Sequence, residues 1–449
     1  MEEDVKDAIA EASAMGSTAW LLVCAALVLL MTPGLAFFYG GMVRPKSVLN
    51  MLMMSFGAIG LIGVLWVIYG YSTAFGNDVG GGLVGNPFEY LGITGTYADA
   101  FTGTGFVAFQ GMFAVITVAL ISGALADRVR FGAWLVFAGL WATIVYFPVA
   151  HWVFAFDNDD TGVVGGWIAN DLGALDFAGG TAVHINAGAA ALAVVLVIGK
   201  RVGWPKEPMR PHNLPFVMLG AALLWFGWFG FNAGSALFPN ATAGVAFINT
   251  FSATAAAMLA WLLVERLRDG KPTSLGAASG IVAGLVAITP ACAFVDTWGS
   301  LAIGVIAGAL CALAVGLKYK LGFDDSLDVV GVHLVGGLIG TLMIGLVATT
   351  GVNEAGADGL FYGGGLEQLG KQAIAAVAVM AYSFVVAGIL AYVIHKTMGF
   401  RVESDTEVSG IDEAEHAEVG YELGVTRGGR SGVSAGPSAA GKKLEGSKA

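Results

Sequence analysis

Two histidines lie inside long apolar stretches of this chain, and an aspartate precedes each of them. His184 lies in DFAGGTAVHINAG (residues 176–188), and His333 lies in LDVVGVHLVGG (residues 327–337). An ionisable side chain is costly to place in the hydrocarbon of a membrane, so such residues mark pathways, proton relays or ligand sites. Two of them, in comparable contexts in the two halves of the chain, predict a protein that moves something protonatable.

The composition indicates that these histidines lie within a membrane. Apolar residues make up 56% of the 449 residues, charged residues make up 12%, and the chain contains 67 glycines. Nearly all of the long apolar runs reach the roughly 17–25 residues that a spanning helix needs. We count eleven such runs: residues 19–38, 49–75, 103–126, 133–156, 178–199, 215–237, 241–264, 275–295, 301–317, 329–349 and 373–394. The sequence therefore predicts an all-α polytopic membrane protein with eleven transmembrane helices.

The positions of lysine and arginine predict the orientation of these helices. The odd-numbered gaps between the runs, and the segment after the last run, carry nearly all of them, whereas the N-terminus and the even gaps offer only Lys6 and Lys371. Positive residues accumulate in cytoplasmic loops. We therefore expect an extracellular N-terminal segment (residues 1–17), a transmembrane transport domain (residues 18–400) and a cytoplasmic C-terminus, in the cell membrane.

The outward segments are acidic. A negative outer surface concentrates cations at an entrance, but acidic residues equally serve solubility in a chain of net charge -11. The acidic positions include Glu2, Glu3, Asp4, Asp78, Glu89, Asp99, Asp157, Asp159 and Asp160.

An odd number of helices with a cytoplasmic tail fits an inverted repeat of five plus five, followed by one. His184 falls in the fifth run and His333 in the tenth, and these two run in opposite directions through the membrane, as an inverted repeat requires. At 1.5 Å per residue, each histidine lies only about 8 Å inside the membrane face at which its own helix begins. In a hydrocarbon core of roughly 30 Å the two side chains would then be too far apart to touch. They can meet only if both helices begin below the membrane surface, so we expect Asp176 and Asp328 to cap or brace these helix starts.

Five motifs, in order, together resemble the Amt/Mep/Rh ammonium transporters, on the Amt branch. The likeness runs from about residue 18 to residue 422. Its motifs are FYGGMVRPK (38–46), DFAGGTAVHINAG (176–188), PHNLP (211–215), WFGFNAGSA (228–236) and DVVGVH (328–333).

The resemblance implies a homotrimer with one pore per subunit. It also implies twin pore histidines at His184 and His333, and a phenylalanine gate at Phe113 and Phe231. An outer ammonium site would form at the pore mouth from Phe113, Phe154, Trp228 and Ser235.

The physics of such a pathway can be stated from the residue types alone. Aromatic faces, a hydroxyl oxygen and backbone carbonyls all present negative potential to a compact cation such as ammonium or methylammonium. Carrying the bare ion through an apolar lumen costs tens of kcal/mol by idealised Born solvation, whereas neutral ammonia crosses far more easily. Two neutral imidazoles that hydrogen-bond to each other offer a polar floor and a proton relay.

Each of these residues also has a purely structural interpretation. A membrane histidine can simply bond a neighbouring helix, and Phe113 and Phe231 can be core aromatics. Ser235 can bond a carbonyl within its own helix. Asp176 is expected to be structural, because short acidic residues at a helix start usually are.

The chain departs from the family at the end of the fourth helix. It reads AHWVF, which places Phe154 where a cation-binding tryptophan is expected. Tryptophan is the best cation–π partner, and Trp152, two residues away, does not share a helix face with position 154. Weaker recruitment of ammonium is the predicted consequence.

The chain changes character after the last helix. Residues 401–423 contain a GID…EHAE…YE pattern that resembles the regulatory tail of Amt proteins, which couples the pores to PII-type nitrogen signal proteins. The alternative is a solvated acidic tail. Residues 424–449 are rich in Gly, Ser and Ala, which predicts disorder.

Three other function classes remain to be weighed. A Rh-like ammonia gas channel is the nearest alternative, and Phe154 favours it. An ammonium sensor of the same fold is a second. An enzyme is not expected, because no nucleophile partner or metal-ligand spacing accompanies the histidines, and no cofactor or nucleic-acid partner is expected either.

The cysteines, Cys24, Cys292 and Cys311, lie in or at the ends of apolar runs, which favours packing over a disulfide or metal role.

Overall fold

The computed structural model describes residues 2–97, 103–159, 162–207 and 209–421. The segment predicted to be disordered (424–449), the last two residues of the predicted regulatory tail, and Asp99 and Asp160 of the acidic outer segments lie outside the described residues. Within the described part the chain is all-helical, with isolated backbone bridges and no named strand. The predicted all-α membrane class is confirmed.

Among the described residues, eleven long helices form a bundle, followed by two short helices in the tail. The tail helices are α12 (Ser404–Ser409) and α13 (Ile411–His416). The bundle helices are α1 (Glu2–Met42), α2 (Pro45–Phe75), α3 (Thr104–Leu125), α4 (Phe131–Phe154), α5 (Gly180–Ile198), α6 (Leu214–Gly234), α7 (Ala241–Arg268), α8 (Ser274–Ile288), α9 (Thr297–Leu321), α10 (Val330–Val347) and α11 (Glu367–Thr397).

Ten of these helices are long and apolar enough to cross a membrane, and α8 is shorter. Its 15 residues span about 22 Å at 1.5 Å per residue, less than the roughly 30 Å of a hydrocarbon core. The apolar run continues beyond α8 as a buried turn, in which Ala291 donates to Ile288 and Phe294 donates to Ala291. Irregular backbone is tolerated at this depth where it is buried in protein.

The helices that carry the two histidines begin alike. Each opens with a π-helical turn, Gly180–Ile185 in α5 and Val330–Leu334 in α10, and each histidine occupies the second-last position of that turn. The two helices approach closely, because a Cβ built on Gly188 would lie 2.6 Å from the backbone nitrogen of Leu334. This contact brings α5 and α10 together in their N-terminal halves.

The bundle has two ends, which are named here by what packs on them. The tail face is the end contacted by residues 401–421, where Arg401 donates to the carbonyl of Ile198 and Arg130 approaches Glu403. The loop face is the opposite end, built from residues 76–97, 155–159 and 162–173. The two loop segments bond to each other, since Asp78 donates to Val164 and Trp167 donates to Gly82 through backbone groups.

Candidate functional site

The two histidines meet in the centre of the bundle. The Nδ1 atoms of His184 and His333 are 3.3 Å apart, and their ring centroids are 5.3 Å apart at an interplanar angle of 27°. Both side chains are buried. Since Nδ1 faces Nδ1, one ring donates its N–H and the other accepts, so the two neutral imidazoles are opposite tautomers.

A stack of aromatic rings lies next to the histidine pair. The rings of Phe113 and Phe231 are stacked, with centroids 4.0 Å apart and an angle of 21°. Phe109 packs edge-on against Phe113 at 4.9 Å, and Phe231 lies 6.3 Å from His184. The stacked pair leaves no gap for a cation between its faces.

Two small cavities flank His333. One is lined by both histidines, by Trp228 and Phe231, and by apolar side chains such as Ile116 and Leu224. The other is lined by His333, Asp328, Ser279, Tyr39 and neighbouring apolar side chains. His333 therefore lies between an apolar chamber, which Phe231 and His184 also line, and a more polar chamber towards the tail face.

Trp228, which the sequence predicts in the outer ammonium site, packs against His184 and lies deeper along α6 than Phe231 and Ser235 do. Helix α6 runs from the tail face to the loop face, so Trp228 lies about 4.5 Å deeper than Phe231. Its ring stacks on His184 with centroids 5.4 Å apart, and its Nε1 donates to Thr289 Oγ1 at 2.8 Å. Trp228 is thus a wall of the histidine chamber. Sequence reasoning missed Thr289, because the sequence shows nothing at this position beyond a threonine next to a proline.

Ser235 and Phe154 lie nearer the loop face. Ser235, half-buried about 6 Å beyond Phe231 along α6, donates its hydroxyl to the carbonyl of Phe231 at 2.9 Å. Its oxygen still has lone pairs that can accept a hydrogen bond. Phe154 is the last residue of α4 and is half-buried. It packs against the apolar core that contains Phe113 and Phe231.

Asp176 caps the start of α5. Its carboxylate accepts from four consecutive backbone N–H groups, those of Gly179, Gly180, Thr181 and Ala182, at 2.7–3.2 Å. Burial raises the pKa of Asp176 above its ordinary value, and these four donors oppose that shift. The loop before it is held by α11, because Leu175 exchanges two hydrogen bonds with the buried amide of Gln372 at 2.7 Å each.

The prediction that Asp328 caps the start of α10 is wrong. The capping residue is Asp325, which accepts from the backbone N–H groups of Val329 at 3.0 Å and Val330 at 2.7 Å. Asp325 precedes His333 by eight residues, as Asp176 precedes His184. Asp328 instead has a left-handed backbone with a φ of 64°, which turns its carboxylate away from the helix start and onto Lys318.

Comparison with known proteins gives a consistent result over most of the chain. The family described as the Ammonium Transporter Family matches residues 19–421. An ammonium transporter of Mycobacterium tuberculosis (strain ATCC 25618 / H37Rv) is 64% identical over 438 residues, covering 92% of this chain and 91% of that protein. An ammonium transporter of Bacillus subtilis (strain 168) is 48% identical over 412 residues, covering 91% and 99%.

Solved structures agree. The crystal structure of Saccharomyces cerevisiae Mep2 matches with a TM-score of 0.80 and 36% identity, covering 87% of this chain and 88% of that one. A structure described as a sensor Amt protein matches with a TM-score of 0.82 and 28% identity, covering 90% and 99%. The chain therefore belongs to the ammonium transporter family and is a multi-pass membrane transporter, not an enzyme.

Proposed function

We propose that the chain recruits ammonium at the loop face, removes its proton, and passes ammonia through the pore while the proton crosses by way of the histidines. The observation that carries this proposal is the 3.3 Å contact between His184 and His333, placed between an apolar and a polar cavity. A hydrogen-bonded pair in this place serves both as a path for a proton and as a polar contact for ammonia.

Recruitment would use the aromatic and hydroxyl groups at the mouth. Phe113 offers its ring as the floor of the site, Ser235 offers a hydroxyl oxygen, and Phe154 offers a second aromatic wall. All three hold a compact cation by negative potential. Trp228 has no part in this step, because it lies behind Phe231.

Deprotonation follows from the cost of the alternative. A bare ammonium ion in the apolar chamber would be desolvated at a cost of tens of kcal/mol by idealised Born solvation, whereas ammonia carries no charge. Within the described residues the buried Nε2 of His184 has no hydrogen-bond partner, and His184 lines the chamber. Nε2 is therefore the polar atom that a passing ammonia molecule or proton would meet first.

The proton would then move along the histidine pair. A proton taken up on one ring turns that ring into a double donor, and its Nδ1–H can pass across the short contact to the other ring. Ammonia and proton reach the tail side together, so the net species is ammonium and transport is electrogenic.

The orientation and the number of spans also belong to this proposal. The buried and half-buried basic residues Arg44, Arg128, Arg201 and Arg401 all cluster on the tail face, which supports a cytoplasmic tail face in the cell membrane. The eleven-span count requires α8, with its buried turn, to cross as well.

Assembly with other chains is proposed on the family resemblance. We infer a homotrimer with one pore in each subunit, and a PII-type signal protein that binds the cytoplasmic tail face. The pathway described above lies within a single chain, as one pore per subunit requires.

Two alternatives have specific support. An electroneutral Rh-like ammonia channel is favoured by Phe154, because a weaker cation–π wall suits a neutral substrate. An ammonium sensor is favoured by the likeness to the structure described as a sensor Amt protein.

The test is an ammonium-evoked current in liposomes that contain the purified protein. We expect a current that saturates with ammonium, and we expect His184→Ala to lose selectivity over potassium. Leu196→Ala, at an exposed position of the same helix, is the matched control and should retain both. Ammonia entry without any current in the unchanged protein would favour the gas channel, and binding without flux would favour the sensor.

A further inference from the structure

Asp328 is a carboxylate that the capping of α10 does not use. Its side chain is 35% exposed, and one of its oxygens lies 2.6 Å from Lys318 Nζ. Lys318 itself is only 9% exposed, and its Nζ also donates to the carbonyl of Asp325 at 2.9 Å. Two hydrogen bonds thus hold the side-chain ammonium group of Lys318 in place. Through that group they also fix the position of the Asp328 carboxylate.

The cavity on the tail side of the histidines connects this ion pair with the pore. His333 and Asp328 line the same cavity, together with Ser279 and Tyr39. The other ionisable groups around it are committed elsewhere. Asp325 accepts two backbone N–H groups, and the Tyr39 hydroxyl donates to the carbonyl of Leu120.

The backbone of Asp328 adds a second observation. Its φ of 64° lies in the left-handed region, which is sterically unfavourable for an L-residue. Strained residues of this kind cluster at functional sites, where the surrounding structure holds them in place. The strain at Asp328 positions its carboxylate at the boundary between the cavity and the tail-side solution.

We propose that Asp328, held by Lys318, accepts the proton that leaves His333 and releases it to the tail-side solution. In this step an N–H bond of the protonated His333 ring breaks and an O–H bond forms on Asp328, through water in the cavity. The O–H bond then breaks as the proton passes to solvent, and Lys318 keeps its three protons throughout. The inference rests on the proposed proton-coupled transport and names the exit that such transport needs.

The test compares Asp328→Asn and Asp328→Glu with the unchanged protein in liposomes. Asparagine tolerates the left-handed backbone but cannot accept a proton, whereas glutamate can. Two quantities are measured, the ammonium-evoked current and the change in lumenal pH. Asp269→Asn, at an exposed aspartate after α7, is the control and should behave like the unchanged protein.

We expect Asp328→Asn to lower the current at least about tenfold, because a positioned proton acceptor contributes roughly 10²–10⁴-fold to proton transfer. Ammonia should still cross in this variant, so the lumen should become alkaline faster than in protein-free liposomes. Asp328→Glu should restore the current. A merely structural role would reduce current and ammonia entry together.

Three outcomes count against the inference. An unchanged current in Asp328→Asn overturns it, and so does a loss of both current and ammonia entry in the Asn and Glu variants alike. If the unchanged protein gives no current at all, the proposed proton-coupled function itself fails. That failure can be told apart from a failure of the Asp328 inference, because it is seen without any variant.

Discussion

At the end of α4 a phenylalanine stands where a stronger cation-binding ring could stand. Phe154 is half-buried as the last residue of α4. A cation–π contact at an exposed site is worth about 0.5–1 kcal/mol, and tryptophan is its best aromatic partner, so the gain from tryptophan over phenylalanine is a part of that energy. We expect Phe154→Trp to lower the apparent KM for methylammonium by up to about fivefold, which uptake of labelled methylammonium into liposomes would measure.

A second tryptophan variant separates this effect from a general gain of aromatic surface. Phe156 is 66% exposed and lies two residues beyond Phe154. Phe156→Trp should leave the apparent KM unchanged. An equal shift in both variants, or none at Phe154, would show that position 154 is not a wall of the outer site.

The sequence was sufficient to identify the two histidines. The distance along the chain from Asp176 to His184 also contained the information needed to locate the cap of α10. A separation of eight residues, counted back from His333, gives Asp325. Three aspartates, 324, 325 and 328, stand close together there, and the local backbone turn decides which one caps the helix. Thr289 and the depth of Trp228 depend on packing between helices, which single-sequence patterns do not encode.

At the scale of elements, a buried ionic cluster joins three loops on the tail face. Asp324 accepts from Arg128 at 2.6 Å and from Arg201 at 2.8–3.0 Å, and Arg201 also bonds Asp127. Desolvation alone would raise the pKa of Asp324. The hydrogen bonds from Arg201 and the charge of Arg128 instead hold it below its ordinary value.

Removing the charge of Asp324 leaves two buried guanidinium groups short of a partner. Breaking a buried pair in this way costs about 3–5 kcal/mol, so we expect Asp324→Asn to lower the free energy of unfolding by roughly that amount. Denaturation of the protein in mixed micelles with dodecyl sulfate, followed by tryptophan fluorescence, would measure it. Asp269→Asn removes an exposed ion pair and should leave the free energy of unfolding nearly unchanged, because solvent screens such pairs.

The difference in the free energy of unfolding between Asp324→Asn and the unchanged protein should depend on pH. The sign of this dependence follows from the lowered pKa of Asp324. The pKa of Asp324 is lower in the folded state than in the unfolded state, so its contribution is complete above the unfolded value of roughly 3.9. It is lost as the pH falls through the folded value. The two proteins should therefore converge in stability below about pH 4, and a difference that grows on acidification would contradict the assignment.

Most helices lie where the apolar runs predict them, because lipid forces the backbone to satisfy its own hydrogen bonds within each segment. The eighth run is the informative exception. It was predicted as one helix over residues 275–295, but α8 ends at Ile288. Pro290 supplies no N–H and disfavours helical geometry at the residue before it. Its carbonyl instead accepts from Phe177, just before α5.

At the scale of the whole molecule, the tail is fastened to the bundle by carboxylates at helix N-termini. Asp412 accepts from the backbone N–H groups of Leu49 and Asn50 at the start of α2. Glu415 accepts from Phe131, the first residue of α4. Glu407 differs from these two, because it accepts from the backbone N–H of Val202 in the loop after α5 and pairs with Arg401. Negative charge is stabilised at the N-terminus of a helix, so the tail supplies what these helix starts lack.

This arrangement makes Asp412 the residue whose loss should release the tail. Asp412→Ala removes a cap worth about 1 kcal/mol, which corresponds to roughly fivefold faster hydrogen exchange of the amides in α12 and α13. Glu413, exposed on the same short helix, provides the matched control, since Glu413→Ala removes one charge but no such cap. Exchange that is equally fast in both variants would mean that overall charge, rather than the seating of Asp412 on α2, holds the tail. Faster exchange in Asp412→Ala alone would show that the acidic composition of the tail serves docking and not only solvation.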